Sequence, residues 1–272
     1  MEPLFLPAAP GQRFCLYHPP ARVQSTSRGV VYIPPFAEEM NKARRMAALQ
    51  ARRLSALGVA VVAVDLLGTG DSSGDFGDAT WDAWKEDIGE AVRLLEARGC
   101  ESISLWGLRL GALLGLDFAA GAGRVFERFV LWQPVVSGEL FLTQFLRLKV
   151  ANQMLAGGTA RSATRELREA LSAGERLEIA GYELSPALAA AIDHLSMPDL
   201  APERGPVHWF EVVSQPERPL SPAGRRVVDA WHSRGINMFA RTVSGEPFWS
   251  TQEITECPAL LEATTSLFAP AP

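Results

Sequence analysis

The segment Ser104-Leu105-Trp106-Gly107-Leu108-Arg109-Leu110-Gly111-Ala112 passes from one apolar run, over a glycine-flanked apex, into another. Leu105 and Trp106 before the apex read as a buried strand, and Leu113, Leu114, Leu116 and Phe118 after it read as a buried helix. Gly107 and Gly111 stand two residues either side of Arg109. That is the spacing of the Gly-x-Ser-x-Gly turn, which lifts a serine clear of a strand end. The apex of such a turn holds a strained backbone, worth roughly 1–3 kcal/mol. Its neighbours two positions away must be small, because strand and helix nearly touch there. Both glycines meet that demand, and the residue between them is an arginine.

Outward from this segment the chain alternates. Strands are predicted at Leu4–Leu6, Phe14–His18, Gly29–Pro34, Val59–Leu66, Ser102–Leu108, Phe129–Val136, Val207–Val213 and Asn237–Ser244. VAVVAVDL at 59–66 is continuously apolar, as expected of a strand covered on both faces. Helices are predicted from Asn41 to Leu57, from Thr80 (as cap) to Arg98, from Ser221 to Ser233, and from Pro258, a residue favoured at a first helical position. GTGDSSGDFG at 68–77 is a loop by composition. Residues 137–205 break the alternation and read as helices at Leu140–Leu155, Ser162–Ala173 and Pro186–His194. The implied architecture is α/β: a mostly parallel, doubly wound sheet built from residues 1–136 and 206–272, with a helical cap at 137–205 over the carboxyl edge, where open α/β sheets bind ligands.

Composition narrows the function. The 272 residues are enough for one large α/β domain, and 47% apolar with 21% charged residues is ordinary for a folded soluble chain. A net charge of −5 provides no basic stripe for nucleic acid. No apolar run approaches the ~20 residues of a membrane span, and the first residues carry no secretory pattern. Cys15, Cys100 and Cys257 are widely spaced and odd in number, which fits a reducing cytoplasm and no disulfide framework. No metal site or cofactor motif is expected; His194 and Asp199 lack partners for a metal. No residue pattern sets an oligomeric state.

With IPPFAEEMNKARR at 33–45, DLLGTGDSSGDFGDATWDAW at 65–84, WGLRLGA at 106–112 and SGEPFWSTQEITECP at 244–258, the chain resembles the α/β-hydrolase superfamily over essentially its whole length. More narrowly, it resembles the exosortase A system-associated hydrolases of the second type. That resemblance implies an α/β-hydrolase fold, a bacterial source, a cytoplasmic location, and genetic company with exopolysaccharide production and protein sorting. It implies no substrate.

Carried over by position, the resemblance gives Pro34-Pro35 in place of His-Gly in the oxyanion loop, so Phe36 and Leu110 would offer the two backbone N–H donors. The acid would follow Val207–Val213, where the nearest carboxylate is Glu217. The general-base histidine would lie at Ser244–Trp249, yet no histidine follows His232. Arginine stays protonated at biological pH and is neither nucleophile nor base. A buried guanidinium needs an anion beside it, since breaking a buried pair costs roughly 3–5 kcal/mol. The candidates are Glu38, Glu39, Glu217 and Glu246. Arg109 is then either a structural ion pair in a silent site or the grip on a small anionic or acyl ligand, aided by the helix N-terminus. The alternative is a hydrolase with a relocated nucleophile (Ser72 or Ser73, with Asp71 beside them) or a carboxylate-activated water. Cys257 and the four histidines read as packed or surface residues, and Phe248 and Trp249 as candidates to line an apolar pocket.

Overall fold

The computed structural model describes residues 1–22, 27–153, 160–215 and 217–269, with side chains undescribed at 151–153 and 160–162. The end of the expected helix Leu140–Leu155 lies outside the described residues. The main sheet has eight strands: β1 (Glu2–Pro7), β2 (Gln12–His18), β3 (Arg28–Ile33), β4 (Val59–Val64), β5 (Ser102–Leu108), β6 (Phe129–Trp132), β9 (Val207–Val213) and β10 (Met238–Ser244). Their spatial order is β1-β2-β4-β3-β5-β6-β9-β10. β1–β2 and β2–β4 are antiparallel, and every pairing from β4 through β10 is parallel.

Helices cover both faces. α1 (Glu38–Ala56) and α8 (Pro258–Thr265) pack one face, where Met46, Leu54, Leu260 and Leu261 meet Val61, Trp106 and Trp132. α2 (Trp81–Ala97), α3 (Leu110–Gly121) and α7 (Pro222–Ser233) cover the other. Thr80 caps α2 by accepting from the Ala83 N–H at 3.1 Å. Beneath α2, Arg13 on β2 is fully buried and donates to Asp87 at 2.6 Å; the other Asp87 oxygen accepts from the Leu67 N–H at 2.7 Å.

The insertion between β6 and β9 carries α4 (Gly138–Gln153), α5 (Ala160–Ser172), β7 (Leu177–Ile179), β8 (Tyr182–Leu184) and α6 (Pro186–Asp193). Its two ends meet: Ser137 bridges Ser196, the Gly138 N–H bonds the Leu195 carbonyl at 2.9 Å, and the Met197 N–H bonds the Val136 carbonyl at 3.0 Å. Arg168 ties the cap internally, reaching Asp193 at 2.7 Å, the Glu139 carbonyl at 2.8 Å and Thr143 at 2.7 Å.

Three expectations need correction. The cap is not wholly helical, because β7 and β8 form a hairpin whose two turn residues, Ala180 and Gly181, both have positive φ. β6 stops at Trp132 instead of Val136, since Gln133 adopts a φ of 42° and Pro134 has no N–H to donate. α1 begins at Glu38, three residues before the expected Asn41, directly after Ala37 turns the chain with a φ of 52°. Among the described residues no helix is long and apolar enough to cross a membrane.

Candidate functional site

The apex between β5 and α3 has the expected shape. Arg109 holds φ 56° and ψ −119°. A Cβ on Gly107 would strike the Ala112 backbone, and one on Gly111 would strike the carbonyl oxygens of Ile33 and Pro34. Three hydrogen bonds fix the Arg109 peptide: its N–H donates to the Trp132 carbonyl at 2.9 Å, and its carbonyl accepts from Ala112 at 3.1 Å and Val135 at 3.2 Å. The strained residue is therefore held by the end of β6 and the turn after it, and not by local sequence alone.

The Arg109 side chain is mostly buried. Its Nε donates to Glu39 Oε1 at 3.2 Å, and its guanidinium lies 5.7 Å from the Trp249 ring centroid. The two terminal nitrogens bond nothing among the described residues. Glu39 comes from the first turn of α1, where a carboxylate is favoured by the helix dipole. Its second oxygen, Oε2, is buried without a partner. Burial pushes the Glu39 carboxyl above its ordinary pKa, with Arg109 pulling the other way and losing.

The loop Pro34-Pro35-Phe36-Ala37 faces the apex. The backbone N–H groups of Phe36 and Leu110 donate to nothing among the described residues. A cavity of about 10 Å³ lies against Pro34–Ala37, Leu110 and Gly111, large enough for about one water. The Phe36 ring does a separate job. It packs edge-on against Phe76, Trp84, Phe141 and Phe145, with centroids 5.0–5.9 Å away, and so fastens the loop to the cap.

Beyond the ion pair opens a cleft of about 170 Å³. Arg109, Glu38 and Glu39 form its charged floor; Phe141, Phe145 and Leu148 from α4 form one wall, and Trp249 with Ser250 another. Gln144 adds a polar group. The α4 residues went unread as site residues. Their spacing 141, 145, 148 is visible in sequence, but nothing there tells a face that covers a sheet from one that walls a cleft.

Other sequence candidates fall elsewhere. Glu217 and Glu246 are exposed and neither lines the cleft, because the loops that carry them turn to solvent. Glu38 lines the cleft and approaches Lys42 at 3.8 Å. The buried carboxylate of β9 is Glu211, occupied by the Ser221 N–H at 2.7 Å, the Ser221 hydroxyl at 3.0 Å and Trp209 Nε1 at 3.1 Å. Ser72 and Ser73 stitch the 66–75 loop to β2: the Ser72 hydroxyl accepts from Phe14 N–H at 2.9 Å and that of Ser73 from Gln12 N–H at 3.0 Å. Asp71 is exposed. Cys257 is fully buried against Ser244 with its thiol pushed up by burial, which opposes a thiolate. None of His18, His194, His208 and His232 lines the cleft, and His208, stacked on Phe239, is lowered by burial to about 4. Trp249 reaches the cleft; Phe248 is buried against Trp132.

No family profile matches the chain, and no curated protein matches it in sequence. Solved structures do. Est1E from Butyrivibrio proteoclasticus, determined with ferulic acid bound, is similar with a TM-score of 0.69 at 17% identity, over 97% of this chain and 96% of that one. A highly thermostable carboxyl esterase from Bacillus coagulans gives 0.67 at 14% identity, over 98% and 97%. Proline iminopeptidase from Mycobacterium smegmatis gives 0.61 at 14%, again over 98% and 97%. At such identities the likeness speaks for the fold, which is the α/β-hydrolase fold.

Proposed function

We propose that this α/β-hydrolase-fold chain binds a small monoanion with an apolar body, and that it does so in place of serine-hydrolase chemistry. The observation that carries the reading is Arg109 at the apex with its two terminal nitrogens unbonded and open to an aromatic-walled cleft. Those nitrogens can take a carboxylate or phosphate end-on, with two parallel hydrogen bonds. The N-terminus of α3 adds favourable potential for the same charge. Phe141, Phe145, Leu148 and Trp249 then receive the apolar remainder.

Triad chemistry has no support here. Removing the serine or histidine of a serine hydrolase loses on the order of 10⁶ in kcat. In this chain the apex is arginine, no histidine lines the cleft, and Ser72 and Ser73 are engaged by backbone. The free Phe36 and Leu110 N–H groups supply an anion-binding backbone that is useful without a nucleophile. In this reading the resemblance to exosortase A system-associated hydrolases sets the chain in the bacterial cytoplasm beside exopolysaccharide production, as a ligand-binding member.

Ferulate is a suitable probe, since it joins a carboxylate to an aromatic ring. Calorimetric titration is expected to show binding to the wild type, weakened about tenfold or more in Arg109→Ala, the loss of a charge-assisted hydrogen-bonded pair. Equal affinity in the two proteins would refute the ligand reading. A fluorophosphonate probe should leave the chain unlabelled, and covalent labelling of any serine would refute the loss of hydrolase chemistry.

A further inference from the structure

A second cavity, of about 160 Å³, lies between the inner face of α1 and strands β2, β3 and β4. It shares no lining residue with the Arg109 cleft, although both reach the early turns of α1. Space exists because α1 presents Ala47, Ala48 and Ala51 to the sheet at this point. Small residues alone would mark only loose packing. The wall, however, also carries polar groups that no described residue hydrogen-bonds.

Tyr32 is 6% exposed, and its hydroxyl has no hydrogen-bond partner among the described residues. Its ring is fixed by Trp106, with centroids 4.3 Å apart, so the phenol is positioned and not free to search. The hydroxyl is not sealed from solvent, so the partner that a tyrosine O–H ordinarily finds can come from the cavity. His18, 3% exposed, lines the same cavity and also bonds nothing among the described residues. Burial lowers the His18 pKa, so its ring is neutral at neutral pH and offers one donor and one acceptor. A charged pair stands at the mouth: Arg44 Nη2 donates to Asp65 at 3.1 Å, and the same Asp65 oxygen accepts from the Asp71 N–H at 3.1 Å. Asp65 offsets the charge of Arg44, and water reaches the remaining nitrogens of this more exposed guanidinium, so the mouth gives an ionic guest little and favours an uncharged one.

We propose that this cavity is a separate binding site for a small uncharged molecule. Its size is that of one substituted aromatic ring, as cavities near 150 Å³ accept benzene. Its polar substituent, a hydroxyl or carbonyl, completes the hydrogen bonding of Tyr32.

The test is a ligand-observed NMR titration of the full chain with phenol and with benzene, which differ by the hydroxyl. The wild type is expected to bind phenol about five- to tenfold more tightly than benzene, the ratio one neutral hydrogen bond supports. Tyr32→Phe, which removes only an unbonded oxygen and so should fold normally, is expected to erase that preference. Ala48→Trp, on a half-buried helix position at the cavity, is expected to block both probes. Arg109→Ala is expected to bind phenol as the wild type does. Absence of binding, equal binding of the two probes by the wild type, a preference surviving in Tyr32→Phe, or binding surviving in Ala48→Trp would overturn the proposal. So would loss of phenol binding in Arg109→Ala, which would assign the probe to the first cleft.

Discussion

Arg109 stands at the unfavourable end of a helix. The N-terminus of α3 carries partial positive charge, so a cation at its cap is repelled by the first-turn amides. Glu39 offsets this from the first turn of α1, where its own charge is favoured. The compensation is incomplete, since Oε2 has no partner and burial holds the Glu39 proton to higher pH than in the unfolded chain. The sign follows directly. The contribution of Glu39 to stability is full below the ordinary carboxylate range and fades as pH rises through its raised folded value. For the proposed anion the same shift means competition for charge: ionised Glu39 offsets the Arg109 cation and repels a second anion, and protonated Glu39 does neither. Ferulate affinity should therefore rise as pH falls from above the raised Glu39 value towards the ordinary carboxylate range. In Glu39→Gln the affinity should be flat across that range. Titration calorimetry at the two ends checks both expectations, and a wild-type affinity that fell on acidification would contradict the pairing.

Among the elements, one buried pair spans β2, α2 and the loop after β4. Arg13 and Asp87 are almost wholly withdrawn from water and hydrogen-bonded at 2.6 Å, with Leu67 N–H on the far oxygen. Deleting one partner leaves the other charged and buried. Asp87→Ala should lose about 3–5 kcal/mol of unfolding free energy, measured by urea titration, well beyond a surface carboxylate such as Glu217. This pair was not legible in the sequence, because its members lie in separate elements. What was legible follows local physics. VAVVAV at β4 and Pro258 at the start of α8 each carry their own signal, and the glycines at 107 and 111 locate the apex without any long-range information. The cap hairpin escaped because Ala180, at a positive φ, is not the Asn or Gly that such a turn advertises. The anion for Arg109 was open among four carboxylates. Glu39 emerges only once Ala37 starts α1 early, a consequence of how the loop meets the apex and not of any nearby residue pattern.

For the molecule as a whole, cap and core are not independent. Phe141, Phe145, Leu146, Leu188 and Ile192 from the insertion belong to one continuous hydrophobic cluster with Trp84, Leu113 and Leu131 of the core. Withdrawing the cap would expose that cluster, so heat should unfold the two together. Far-ultraviolet circular dichroism and tryptophan fluorescence should give coincident midpoints, and two separated transitions would show that the insertion melts by itself. The neck adds a constraint of another sort. The chain leaves the core at Val136 and re-enters it at Met197, with those residues hydrogen-bonded to each other. The α4 side of the cleft, its roof, is spliced in at that one seam. A lineage can thus trade the roof for another of different length or chemistry without rerouting any sheet strand, and what the floor encounters can change while the apex beneath it stays in place.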